Sequence, residues 1–279
     1  MQIIQRLTSH FTSKHDLSFG ELGIVSLMAA ILGITGAQLL FPQNTDTVAV
    51  FITAILLFNT FDRLIAANAD NIWGKRLTGL QANRLLALQF LTVFLVIVLT
   101  YLAFAYIVGP EETLRLFAHQ TKNFSPDHIS ASNFADFVSI AKNNLTVLLI
   151  SLIAALIFLK RGASLILTWN AVLWGVVFGL VIRLAPVIAT TTSTLKFAAI
   201  FILGVLPHLA LELAGYILIS MAGIFFIKGI TKYTLASAEF RQVMFAVVKI
   251  SIVAITLVIL GALAESQIAA NVLQLILPQ

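Results

Sequence analysis

The 279-residue sequence has no cysteine. That excludes a disulfide framework, a thiolate metal site and a cysteine nucleophile. Charge is scarce as well. Asp, Glu, Lys and Arg make up 10% of the chain, against about 25% in a soluble domain. A phosphate-binding glycine loop, a nucleophile elbow, a dinucleotide fingerprint and a His-Glu-x-x-His metalloprotease motif are all missing. No catalytic set, no metal and no cofactor is therefore expected. No polar linker separates two folded pieces, so the reading is of one membrane domain.

What is present is apolar. Hydrophobic residues form 59% of the chain and the mean hydropathy is +1.00. A membrane span needs roughly 20 mostly apolar residues. Seven candidates stand out: Leu22–Phe41, Val48–Ala66, Leu85–Val108, Leu145–Phe158, Leu165–Val181, Phe197–Ile227 and Val243–Leu263. The fourth is expected to begin earlier, near Ile140. The fold class is an all-α polytopic bundle of about seven transmembrane helices. Residues 1–20 are polar and the first apolar run is long, so no cleavable signal peptide is expected.

The net charge of +5 invites a nucleic-acid reading. The basic residues flank the spans instead, so orientation accounts for them and no nucleic acid is expected. With the N-terminus inside, the 17 Lys and Arg divide 12 inside against 5 outside. The expected location is the cytoplasmic membrane, N-terminus inside and C-terminus outside.

Three regions follow. Residues 1–84 hold an interfacial helix (Ile3, Ile4, Leu7, Phe11), a two-helix hairpin and an inner loop. Residues 85–264 hold five spans with an outer cap at 109–141. Residues 265–279 form an outer amphipathic tail. In the cap, Pro110-Glu111-Glu112 reads as a helix start, and Phe124-Ser125-Pro126-Asp127 reads as a turn. Before the sixth span, Phe197–Leu206 is apolar but too short to cross, and Pro207 follows. Proline suits a helix start, so a re-entrant half-helix is expected there. Pro207–Ile227 is then the true span.

Pro207, His208 and Glu212 form the leading candidate site. Ionisable groups at membrane depth are costly and count as a functional hypothesis by default. His208 and Glu212 are one turn apart on one helix face, which continues through Gly215 and Gly223. Small residues there let another helix approach closely. A proton or ion relay, a substrate contact and a structural polar pair all remain open. Asn143, Asn144 and Asn170 lie in or near spans and want interhelical partners. Gly175 and Gly179 have small-x-x-x-small spacing, which suits packing within one protomer or a homodimer. Asn59, Asp62 and Arg63 read as an inner-interface ion pair ending the second span.

The stretch Leu206-Pro207-His208-Leu209-Ala210-Leu211-Glu212-Leu213-Ala214-Gly215 resembles the signature of the stage II sporulation protein M family. Ala141-Lys142-Asn143-Asn144-Leu145, and Asn170 followed by Gly175, resemble two further features of that family. The resemblance covers roughly Leu85–Leu263, five spans. It departs at Leu209, where members usually carry glycine, and at Ala214-Gly215. The first two spans look like an added hairpin. The resemblance implies a membrane scaffold in cell-envelope remodelling, since the best-known member holds cell-wall hydrolases at the outer face of the membrane. A protein partner on the outer cap is then expected. The competing expectation is a transporter or permease subunit built around His208 and Glu212, which would need a separate ATPase.

Overall fold

The computed structural model describes residues 17–73, 77–121, 134–158, 160–188 and 193–269. Among these residues the chain is helical and has no strand. The helices are α1 (Phe19–Leu40), α2 (Thr45–Trp73), α3 (Gly79–Val108), α4 (Pro110–Leu116), α5 (Ala118–Thr121), α6 (Phe134–Ile157), α7 (Lys160–Ile188), α8 (Thr194–Lys232) and α9 (Ala238–Ala264). A π-helical turn over Glu265–Ala269 follows. Seven of the helices, all but α4 and α5, are long and apolar enough to cross a membrane.

Local chemistry sets the helix starts. Ser18 and Glu21 form a capping box at α1, and Thr78 and Gln81 form another at α3. Ser193 and Ser237 cap α8 and α9 through the backbone N–H of Lys196 and Phe240. Each satisfies amides that the first helical turn leaves without partners. Gly109 joins α3 to α4 at φ 88°, a backbone conformation that glycine adopts without steric cost. Pro110 then starts α4 with Glu111 and Glu112 in its first turn, as the sequence suggests.

The hairpin α1–α2 packs on α3 and α7, and the four share one apolar core that includes Phe61, Phe90, Phe94 and Tyr101. At the other side α6, α8 and α9 pack together around Leu148, Tyr216, Ile219, Ala254 and Val258. α7 touches both groups and joins them. Much of α9 faces outward, with Phe245, Val248, Ile252, Ile259 and Leu263 exposed. In a bilayer those side chains meet lipid, which is as apolar as they are.

The described part of the cap, residues 110–121, is folded onto the bundle. Phe117 is fully buried and meets Tyr101 and Phe104 edge-on. The Thr113 hydroxyl donates to the Ala105 carbonyl at 3.2 Å. The buried Asp46 carboxylate, at the start of α2, accepts from the backbone N–H of His119 at 2.9 Å. These contacts pin α4 and α5 to the ends of α2 and α3. The expected turn at Phe124–Asp127, the interfacial segment Ile3–Phe11 and most of the tail lie outside the described residues.

One expectation needs correction. Phe197–Leu206 is not a separate re-entrant half-helix: α8 runs unbroken for 39 residues with Pro207 inside it. Proline removes one backbone bond, and transmembrane helices tolerate this where neighbours compensate. Here Phe197, Phe201 and Val205 pack on Val181 and Ala185 of α7, which keeps the first part of α8 in line. At about 1.5 Å per residue α8 is about 58 Å long, almost twice the hydrocarbon core of about 30 Å. Tilts reach only about 40°, so α8 extends past the core. The second span agrees with its expected bounds, at Thr45–Asn68; the helix that carries it, α2, continues to Trp73, with Asn68 bonded to Asn83 of α3 at 3.2 Å.

Candidate functional site: a polar centre between three helices

Glu212 points from α8 into the seam with α6 and α9 and is 6% exposed. The amide of Asn144, on α6, donates to its Oε1. On the third side, Gly261 of α9 lies against it. A Cβ at 261 would come within 2.8 Å of Glu212 Cγ and 3.3 Å of the His208 carbonyl. One turn further along α8 the contact repeats in reverse: a Cβ at Gly215 would meet Val258 Cγ2 at 2.5 Å and the Ala254 carbonyl at 3.0 Å. Two glycines on opposite helices thus bring α8 and α9 together at the level of the carboxyl group.

His208 lies one turn before Glu212 and is 7% exposed. Its Nδ1 is buried and has no hydrogen-bond partner among the described residues. Pro207 is half-buried beside it. Tyr216, one turn after Glu212, is also buried. The sequence reading missed Glu265. The π turn that ends α9 packs on α8 and α6 and brings this second carboxyl group to the same seam. π-helical turns are rare and recur at functional positions. The visible signal was a carboxyl group directly after the apolar run, which reads more simply as the start of a polar tail. No cluster of three or more metal-ligating side chains suited to an ion occurs among the described residues.

The other expected site residues are scattered. Asn143 is exposed and its amide donates to Asn144 Oδ1 at 3.3 Å. Asn170 is buried in α7 and donates to its own helix, at the Ile166 carbonyl, 2.9 Å away. Gly175 and Gly179 face α3 within the same chain. Their Cβ positions would fall 2.6 Å from the Val98 carbonyl and 2.5 Å from the Leu102 carbonyl. This glycine pair is already used inside the protomer and offers nothing to a second copy. Gly223 is buried on α8.

Seven apolar spans and a buried polar centre shared by three of them define a multi-pass, all-helical membrane protein. The family model for Stage II sporulation protein M matches residues 89–270, well over half of the chain, and the protein belongs to that family. The match takes in α4 to α9 and the last two-thirds of α3, and so every side chain of the polar centre. It leaves α1 and α2 outside. No curated protein and no solved structure matches the chain.

Proposed function

We propose that this protein is a membrane scaffold that positions partners in cell-envelope remodelling. The observation that carries this reading is the closure of the polar centre. Glu212 accepts from Asn144 on one helix and packs closely against Gly261 on another. A carboxyl group committed to holding α6, α8 and α9 together is suited to fixing a shape that a partner recognises. Buried polar contacts of this kind contribute about 0.6 kcal/mol on average inside a membrane, up to about 1.7 kcal/mol. Their value lies in registering one helix against another.

The partner surface in this reading is the exposed side of the docked cap. Glu111, Leu114, Arg115 and Ala118 face outward there, while Thr113 and Phe117 face the bundle. The N-terminus is inside and this cap outside, in line with the basic residues that flank the spans. Replacing Leu114 with Glu and Ala118 with Arg leaves the docking contacts in place. Loss of a native partner in affinity purification, with thermal stability retained, supports the cap as the docking face. A full complement of partners on that variant contradicts it.

A second reading, a transporter or permease subunit, draws on a different observation. Among the described residues His208 Nδ1 is buried without a partner, and Glu265 supplies a second carboxyl group in the same seam. Such groups suit proton or ion relay, with a separate ATPase as the energy source if one is needed. Flux into proteoliposomes that vanishes in Glu212→Gln, with the fold intact, favours this reading. Flux that persists removes Glu212 from any relay.

A further inference from the structure

α3 and α8 run side by side but scarcely touch. Between them lies a groove of about 520 Å³. Trp174 and Phe178 of α7 form its floor, with Leu91 of α3 and Leu209 and Leu213 of α8 among its walls. Phe94 fixes the floor, meeting the Trp174 ring edge-on at 5.1 Å. All the other lining side chains are apolar except Arg84, which stands at the end of the groove nearest the start of α3. Arg84 is exposed and has no acidic partner among the described residues. The polar centre is on a different face of α8, so the groove is independent of it.

The dimensions select the occupant. From Arg84 to Val98 the α3 wall is about 21 Å long at about 1.5 Å per residue. Spread over that length, 520 Å³ gives a mean cross-section of about 25 Å². A helix about 10 Å across needs about 80 Å², so a partner's helix or one from a second copy could lie only over the mouth of the groove and would not fill it. A hydrocarbon chain does. A methylene takes up about as much space as a water molecule in the liquid, about 30 Å³, so the groove holds about 17. The lone cation at its end complements an anionic headgroup, as basic positions between transmembrane helices do. We propose that the α3–α8 groove binds one acyl chain of an anionic phospholipid, with the lipid phosphate on Arg84. This does not rest on the scaffold reading.

Trp174 reports on the site directly. The chain has 3 tryptophans, and W73F with W169F leaves only Trp174. The full chain is reconstituted in vesicles in which either phosphatidylglycerol or phosphatidylcholine carries brominated acyl chains, and quenching is read. One surface charge is worth about a fivefold preference. Brominated phosphatidylglycerol is expected to reach half-maximal quenching at about one-fifth the mole fraction of brominated phosphatidylcholine. Arg84→Gln is expected to equalise the two lipids, while Arg241→Gln, with a basic residue lost from the same end of the bundle, leaves the preference intact. Equal quenching in the Arg84 protein overturns the proposal. So does an absence of quenching by either lipid together with cross-linked dimers, which means a second copy covers the groove. If the single-tryptophan chain does not fold, native mass spectrometry of wild type and Arg84→Gln from mixed vesicles gives the same decision. Retained phosphatidylglycerol in wild type alone supports the site, and equal retention overturns it.

Discussion

Gly261 of α9 and Glu212 of α8 fit only because residue 261 has no side chain. A single added methyl group would sit 2.8 Å from Glu212 Cγ. Something must then move, and the carboxyl group is already bonded to Asn144 on its other side. Overpacking of this kind costs typically about 1–3 kcal/mol. Gly261→Ala is expected to lower thermal stability in detergent accordingly, and Gly261→Leu to lower it further. A wild-type melting temperature for both means that α9 does not pack on α8 at this level.

Asn144 and Glu212 are expected to behave as a coupled pair. Glu212→Gln keeps an acceptor for the Asn144 amide and should cost little. Asn144→Ala and Glu212→Ala should each cost about 1–2 kcal/mol, with the double mutant less than additive. Glu212→Lys should cost several kcal/mol, since it forces a bulky cation at membrane depth into a seam closed by Gly261. A double-mutant cycle with zero coupling contradicts the bond.

Gly175 and Gly179 test where the glycine face is used. Both lie against backbone carbonyls of α3, which cannot rotate away as a side chain can. Gly175→Ala with Gly179→Ala is expected to destabilise the chain by more than about 2 kcal/mol without changing its mass by light scattering. Unchanged stability with loss of a dimer would place these residues between protomers.

Asp46 ties the cap to the bundle. It accepts from the His119 backbone and ring at 2.9 Å and from the Thr47 backbone at 2.6 Å. Asp46→Ala removes the acceptor shared by the part-buried His119 and Thr47 donors, at a cost of about 1 kcal/mol. Hydrogen exchange should rise across residues 110–121 and stay unchanged in α8. Unchanged exchange in the variant means that Phe117 and Thr113 hold the cap without Asp46.

The membrane architecture was legible because it depends on composition and run length. The start at Pro110 was legible for local reasons, since it acts within a few residues of chain. Pro207 misled because sequence alone shows the bond a proline removes but not the packing of Phe201 and Val205 that compensates. The polar centre was half legible. His208 and Glu212 share a face by spacing, yet no local signal joins Asn144 to them across 68 positions. Glu265 was hidden because the π turn that carries it inward depends on tertiary contact with α8. Gly175 and Gly179 announced a close contact without saying with what.

The most direct test of the account is affinity purification from native membranes in mild detergent, wild type beside Glu212→Gln, with mass spectrometry of what copurifies. The scaffold account predicts the same envelope protein at stoichiometric level in both samples. An ATPase partner, or a partner lost from the Glu212→Gln sample although the protein is folded, would contradict it and turn attention to transport through the polar centre.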